Sequence, residues 1–289
     1  MARDWRSAPE RGGSCLPQVQ QIGAALTRGA APFQNGEVTG YYSNLGPFRR
    51  LFESGLPILM YHKLGPRPRK VRLKGLYLSK SLFTRQLAEL RASGFNTVRI
   101  GVPIPATGTN RSVVITFDDG FLNVLKHGLE PLAVNRFSAV QFLVANRLGG
   151  QNDWDIADGE AHAPLMSLDQ VREWLAAGHW IGSHSLSHPW LTQIPMPQAR
   201  EEIRASKRKL EDLFGVSVDD FCYPYGDWNP EVRDLVIEAG YRTACTTQSG
   251  INAPNADLFS LQRFSARYPS RNLKDIWARL WGTQGRSSM

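Results

Sequence analysis

Cysteine is scarce in this chain. Cys15, Cys222 and Cys245 are the three in 289 residues, with no metal-type spacing and no even-numbered framework, which excludes a disulfide-stapled scaffold. Long hydrophobic runs are missing as well: no stretch approaches the ~18 consecutive apolar residues of a membrane span. Arg3, Arg6 and Arg11 are not followed by an uninterrupted apolar segment, because Gln20, Gln21, Gly23, Thr27, Arg28 and Gly29 break the stretch from Gln18 to Phe33. The expectation is a cytoplasmic enzyme without a visible export signal, associated with a membrane at most peripherally. Acidic residues are few at the start. Residues 1–80 carry 13 Lys/Arg against 4 Asp/Glu, whereas residues 81–289 carry 21 against 22, so the net charge of +8 belongs to the first quarter. A protein that coats nucleic acid spreads such charge over its folded face and interleaves it with aromatics; nucleic acid is therefore not an expected partner.

What is present is an ordinary globular composition, 42% hydrophobic and 21% charged, which excludes wholesale disorder and a coiled coil. Residues 1–55 are rich in Gly, Pro, Arg and Ser with poor periodicity, and read as an N-terminal extension. From residue 56 to 289 the texture is that of one catalytic domain. Short β-branched runs at 58–62, 112–117, 137–144, 180–184, 218–223 and 241–247 alternate with amphipathic stretches at about 80–93, 121–130, 167–177, 197–214, 229–239 and 272–281. Pro197 suits the first turn of its helix and Gly215 the end. Strand–helix alternation of this kind implies a mainly parallel sheet covered on both faces, open or closed into a barrel. In a barrel, function collects at the C-terminal ends of the strands.

Three segments place reactive side chains at such ends. Val113 to Phe117 runs straight into Asp118-Asp119-Gly120. Adjacent carboxylates repel and are costly near a core unless a cation or proton accompanies them. An isolated Asp-Asp pair is most simply a helix cap beside a loop acid, but a second constellation changes the balance. Trp180 to Ser183 ends on His184 and, four residues on, His188. That spacing brings two imidazoles to one side of a turn, each offering a neutral nitrogen to a metal. One carboxylate and two imidazoles leave open positions on a divalent ion for water and substrate, and the second carboxylate is free to act as a base. The third segment, Phe221-Cys222-Tyr223-Pro224-Tyr225-Gly226-Asp227, makes a sharp turn whose backbone N–H groups suit a developing oxyanion. Taken alone it is a tight turn with aromatic packing.

Together these segments resemble the polysaccharide deacetylase family (NodB homology, carbohydrate esterase family 4) over roughly residues 56–268. Thr116 to Gly120 is similar to its first motif, His184 to His188 to its second and Phe221 to Gly226 to its third. The opening Pro57-Ile58-Leu59-Met60-Tyr61-His62 resembles the branch acting on poly-N-acetylglucosamine. The resemblance implies a distorted α/β barrel, (β/α) with about seven strands, behind an irregular N-terminal extension. It further implies a hydrolase that removes acetyl groups from N-acetylated amino sugars with a divalent metal, commonly zinc, with nickel or cobalt as substitutes. Mapped by motif, Asp118 is the general base, Asp119, His184 and His188 hold the metal, and the Tyr225 backbone N–H meets the oxyanion.

Two departures stand out. Cys222 replaces the usual third-motif arginine, and Leu261-Gln262-Arg263 lacks the histidine of the fifth motif that supplies the general acid. His62, at the end of the first barrel strand, is the candidate acid. His127, His162 and His179 read as surface or structural, and Trp154 with Asp155 as a border of the sugar cleft. The basic run from Arg67 to Lys74 suits a phosphate-bearing glycan, a sugar-lipid substrate or peripheral contact with an anionic membrane surface. The departures also keep open a carbohydrate-binding pseudoenzyme or scaffold, and the wider superfamily keeps open hydrolysis of another non-peptide C–N bond.

Overall fold

A computed structural model describes residues 41–69, 71–103, 110–156 and 159–269. Its central element is the strand that the Ser112–Phe117 run forms, buried on both faces. In chain order the strands are β1 (Tyr41–Tyr42), β2 (Ile58–Tyr61), β3 (Lys63–Leu64), β4 (Tyr77–Leu78), β5 (Asn96–Thr97), β6 (Ser112–Phe117), β7 (Val140–Leu143), β8 (Trp180–Ser183), β9 (Asp220–Cys222), β10 (Thr243–Cys245) and β11 (Phe264–Ala266). The main sheet runs β1-β11-β2-β6-β7-β8-β9-β10, with β5 added beside β6, and its pairings are parallel. Leu261, just ahead of β11, pairs in parallel with Cys245 of β10. The segment entering the last strand thereby reaches the open edge at β10, and the sheet curls into the distorted barrel that the motifs imply.

Helices α1 (Arg49–Glu53), α2 (Lys80–Ala92), α3 (Leu122–Val134), α4 (Leu168–Ala176), α5 (Met196–Phe214) and α6 (Pro230–Glu238) accompany the strands. Their ends follow local chemistry. Ser79 caps α2, Ser167 and Gln170 form a capping box on α4, and Asn229 caps α6; α5 stops at Gly215 with φ 65°, the left-handed geometry glycine adopts without strain. Helix α3 outruns its expected end at residue 130, passing through Pro131. Pro131 removes one hydrogen bond there, but it and Leu132 are both buried, and that packing outweighs the loss. The expected helix at 272–281 lies outside the described residues. No helix among the described residues is long and apolar enough to cross a membrane.

Two apolar layers follow from the two-residue repeat of the strands. Leu59, Tyr61, Ile115 and Phe117 pack outward against Phe83, Trp174 and Ile203 of the helices. Ile58, Val114, Val140, Phe142, Cys222, Cys245 and Leu261 form a second cluster, built from strand and loop residues and enclosed by the sheet. The stretch just before residue 55, which composition places in the extension, also folds onto this frame. Tyr42, Phe48 and Phe52 are buried there, with Phe48 and Phe52 each packed on the Phe264 ring. Their spacing is hidden in a Gly-, Pro- and Arg-rich window.

The sheet contains one titratable group with a measurable consequence. Asp220 opens β9, is 9% exposed and accepts a hydrogen bond from Thr243 Oγ1 at 2.6 Å; burial pushes its carboxyl up to about 6. A carboxyl raised on folding stabilises below its unfolded pKa, and that contribution is lost as pH rises through the folded value. Between pH 4 and pH 7, urea unfolding should show the wild type losing roughly 2 kcal/mol relative to Asp220→Asn; parallel profiles would refute this account of Asp220.

Candidate active site

Because the barrel strands are parallel, the residues that follow them share one rim. His62 follows β2, Asp118 and Asp119 follow β6, His184 follows β8 and Tyr223 follows β9. The period-two face that carries Val114 and Thr116 into the barrel carries Asp118 next. Backbone strain gathers at this rim. Among the described residues five non-glycine positions have positive φ, and four of them are Asp119 (74°), Ser185 (64°), His188 (69°) and Tyr225 (60°). Such strain persists where the surroundings over-determine it and tends to mark functional sites.

Asp119, His184 and His188 converge as the spacing predicts. His184 Nε2 and His188 Nε2 each lie 3.4 Å from Asp119 Oδ1, and all three residues are buried. His184 Nδ1 is 2.7 Å from the Cys222 carbonyl oxygen and donates its proton there, so Nε2 is the nitrogen turned to Asp119. Burial alone would raise the Asp119 carboxyl, yet hydrogen bonds from the two imidazoles hold it well below the usual carboxylate range. Three buried donor atoms of this kind, one carboxylate and two imidazoles within 4.8 Å of one another, fit a divalent cation that keeps open positions. A second cluster, Asp118, His184 and Cys222, is equally tight, but a guanidinium already occupies it.

That guanidinium belongs to Arg263, which precedes β11 and is fully buried. Its Nη1 donates to Asp118 Oδ1 at 2.7 Å and its Nη2 to Asp118 Oδ2 at 2.8 Å. The remaining donors reach Thr116 Oγ1 at 3.1 Å, Cys222 Sγ at 3.1 Å and, from Nε, the Thr246 carbonyl at 2.8 Å. All five N–H groups are used, as a buried arginine requires. Burial would raise the Asp118 carboxyl; Arg263 outweighs it and holds Asp118 below its ordinary value. The two sequence departures thus complement each other: the cationic side chain missing from β9 at Cys222 arrives from the neighbourhood of β11. Sequence reasoning missed this, although an arginine between Leu261 and Phe264, both buried, was the available signal.

His62 Nε2 lies 3.7 Å from Asp118 Oδ2 with its side chain 18% exposed. Burial lowers its pKa, with Asp118 opposing, so the ring is neutral at pH 7. Tyr225 sits in a tight turn between Pro224 and Gly226. Its ring meets His188 edge-on at 4.4 Å and stacks on Trp190 at 4.2 Å. Trp154 stacks on His188 at 4.6 Å, and Asp155 Oδ1 accepts from Tyr225 Oη at 3.5 Å, so the loop after β7 does border the cluster. His179 lies apart, packed at a tilt against Trp174, and burial lowers its pKa to about 4. Lys70 and Cys15 fall outside the described residues.

Residues 106–244 match the sequence pattern of the polysaccharide deacetylase family. The chain is 24% identical over 213 residues to YxkH of Bacillus subtilis, a protein assigned to the polysaccharide deacetylases, covering 72% of this chain and 70% of that one. It is 25% identical over 173 residues to the peptidoglycan-N-acetylglucosamine deacetylase of Listeria monocytogenes, covering 59% of this chain and 32% of the listerial one. Among solved structures, a Streptococcus pyogenes deacetylase in complex with acetate superposes with a TM-score of 0.63 at 21% identity, over 77% of this chain and 96% of that one. IcaB from Ammonifex degensii does so with a TM-score of 0.63 at 23% identity, over 78% and 97%. At such identities the superpositions establish a common fold.

Proposed function

We propose that the chain is a polysaccharide deacetylase, the family whose sequence pattern residues 106–244 match, and that it hydrolyses the acetamide of an N-acetylated amino sugar, in a glycan or a glycan precursor, and releases acetate. The observation that carries this reading is the buried set Asp118, Asp119, His184 and His188, with Asp118 locked by Arg263. Asp119, His184 and His188 would hold a divalent cation, zinc in the first instance and nickel or cobalt as substitutes, since such ligand sets accept several ions. When bound, that ion supplies Lewis-acid polarisation of the acetamide carbonyl and an acidified water.

The remaining steps belong to the protein. Asp118, ionised and oriented by both Arg263 nitrogens, accepts a proton as water adds to the carbonyl carbon. The Tyr225 backbone N–H donates to the oxyanion. His62, neutral and close to Asp118, takes up that proton and delivers it to the sugar nitrogen as the C–N bond breaks, leaving a free amine and acetate. Replacing His62 by Asn should lower turnover by roughly 100-fold or more with metal content unchanged; unaltered turnover would remove His62 from the mechanism. The pseudoenzyme alternative drew support from two missing side chains, and Arg263 supplies the cation of one of them.

The basic run gives the substrate proposal its finer detail. Arg67, Arg69, Arg72 and Lys74 are exposed on a loop pinned to the rim. Leu73 N donates to Glu160 Oε2 at 3.1 Å, and buried Lys63 and Tyr77 both bond Glu160 Oε1, at 3.1 and 2.6 Å. Glu160 closes the same loop that carries Trp154 and Asp155 to the site. Replacing these four cations with Ser should lower kcat/KM roughly tenfold for a phosphate-bearing N-acetylated sugar and leave a neutral oligosaccharide nearly unaffected. Equal effects would mean that the charge only solubilises. The activity itself is tested by acetate release from a panel of metal-replete reactions: free N-acetylglucosamine oligomers, nucleotide-linked sugars and lipid-linked sugars. Acetate from none of them would overturn the reading.

A further inference from the structure

The five residues from His184 to His188 hold two left-handed, non-glycine positions, Ser185 at φ 64° and His188 at φ 69°. Each such position costs on the order of 1 kcal/mol or more and needs neighbours that enforce it. The loop's polar groups show which neighbours do so. The carbonyls of Ser185 and Leu186 accept from Ala145 N and Asn146 N beyond β7, at 3.0 and 2.9 Å. His188 N donates to Ser185 Oγ at 3.0 Å. Two further amides, Leu186 N and Ser187 N, both donate to Glu202 Oε2 at 2.9 Å, while Ser187 Oγ donates to Glu202 Oε1 at 2.6 Å.

Glu202 belongs to α5, on the stripe of Ala199, Ile203, Ser206 and Leu210 that faces the barrel. A glutamate is out of place on such a stripe unless it is fully hydrogen-bonded. It is 8% exposed and has no cationic partner among the described residues. Its three acceptor contacts all go to the tip of one loop. One turn on, Ser206 Oγ accepts from Ser183 Oγ at 2.8 Å, so α5 grips both the end of β8 and the loop that follows it.

We propose that Glu202 is a positioning residue: it clamps the Leu186–Ser187 backbone so that His184 and His188 present their Nε2 atoms at one spacing for the divalent cation. The inference rests on the metal reading of Asp119, His184 and His188. It acts through hydrogen bonds rather than charge, which sets its test. A glutamine retains a carbonyl oxygen for the two amides and an NH2 group for Ser187 Oγ; an alanine leaves both amides without their acceptor and frees the two strained residues to relax.

The experiment compares the full chain with Glu202→Gln and Glu202→Ala, after circular dichroism has established that each is folded. Zinc affinity is measured by chelator competition, and amide exchange at Leu186 and Ser187 is followed by NMR in the metal-free proteins. Alanine should weaken zinc binding about 10- to 100-fold, with glutamine within about threefold of wild type. The two amides should stay protected in wild type and Glu202→Gln and exchange faster in Glu202→Ala. Wild-type zinc affinity in Glu202→Ala, or a glutamine variant that falls with alanine, would overturn the proposal. If wild type binds no zinc, the metal reading fails, and amide exchange still decides the clamp: equal exchange in wild type and Glu202→Ala refutes it.

Discussion

Arg263→Met is expected to be among the most damaging single substitutions in the chain, although Arg263 is placed to touch no substrate. The variant leaves the Asp118 carboxylate buried without the bidentate partner at 2.7 and 2.8 Å. Breaking a buried ion pair from one side costs about 3–5 kcal/mol. Activity should fall on the order of 100-fold or more, the usual contribution of a positioned base. Arg263 holds the Asp118 carboxyl below its ordinary value against the opposing effect of burial. A depressed carboxyl stabilises above its unfolded pKa and loses that contribution as pH falls through the folded one. The stability deficit of Arg263→Met should therefore be largest at neutral pH and shrink toward acid, while the acid limb of kcat/KM moves upward. A companion variant separates position from charge. Cys222 Sγ lies 3.1 Å from Arg263 Nη2, so adding Cys222→Arg to Arg263→Met returns a guanidinium to nearly the same place from β9. Partial recovery of activity is the expected result. A fully active Arg263→Met would show that Asp118 needs no such partner.

The second large effect concerns the cluster beside it. Asp119→Ala removes the one carboxylate that both His184 Nε2 and His188 Nε2 approach at 3.4 Å. Bound divalent metal, measured by elemental analysis after dialysis, should fall from about one per chain to background. Acetate release should drop on the order of 1,000-fold, because an electrostatic stabiliser weaker than a metal is already worth 100- to 1,000-fold. The fold should survive, since the apolar layers that hold the barrel are built from other residues. Full metal content with full activity would place the reaction elsewhere. Loss of metal with activity retained would separate the cluster from the chemistry.

Much of this was legible in the residues. The strand at 112–117 coincides with its expected span, because an unbroken β-branched run ending in Asp118-Asp119-Gly120 leaves little choice. His184 and His188 converge on Asp119 because parallel strands put their ends on one rim. What escaped was carried by contacts across long sequence separations. Arg263 and Asp118 are 145 positions apart, and no local pattern says that a residue before β11 fills the space left by Cys222. Glu202 lies in the amphipathic stretch at 197–214, and nothing local to it names the Leu186–Ser187 backbone as its partner. Helix α3 outran Pro131, and Tyr42, Phe48 and Phe52 joined the core, for the same reason: burial overrode a local signal of proline or polar composition.

The most direct test of the account strips the protein of metal and follows acetate release from N-acetylglucosamine oligomers and phosphate-bearing N-acetylated sugars as zinc is added back. Stripped protein should release negligible acetate, recovery should saturate at about one zinc per chain, and Asp119→Ala should show no recovery. Undiminished release by the stripped protein would contradict this, as would a chain carrying one zinc that is inert on every acetylated amino sugar.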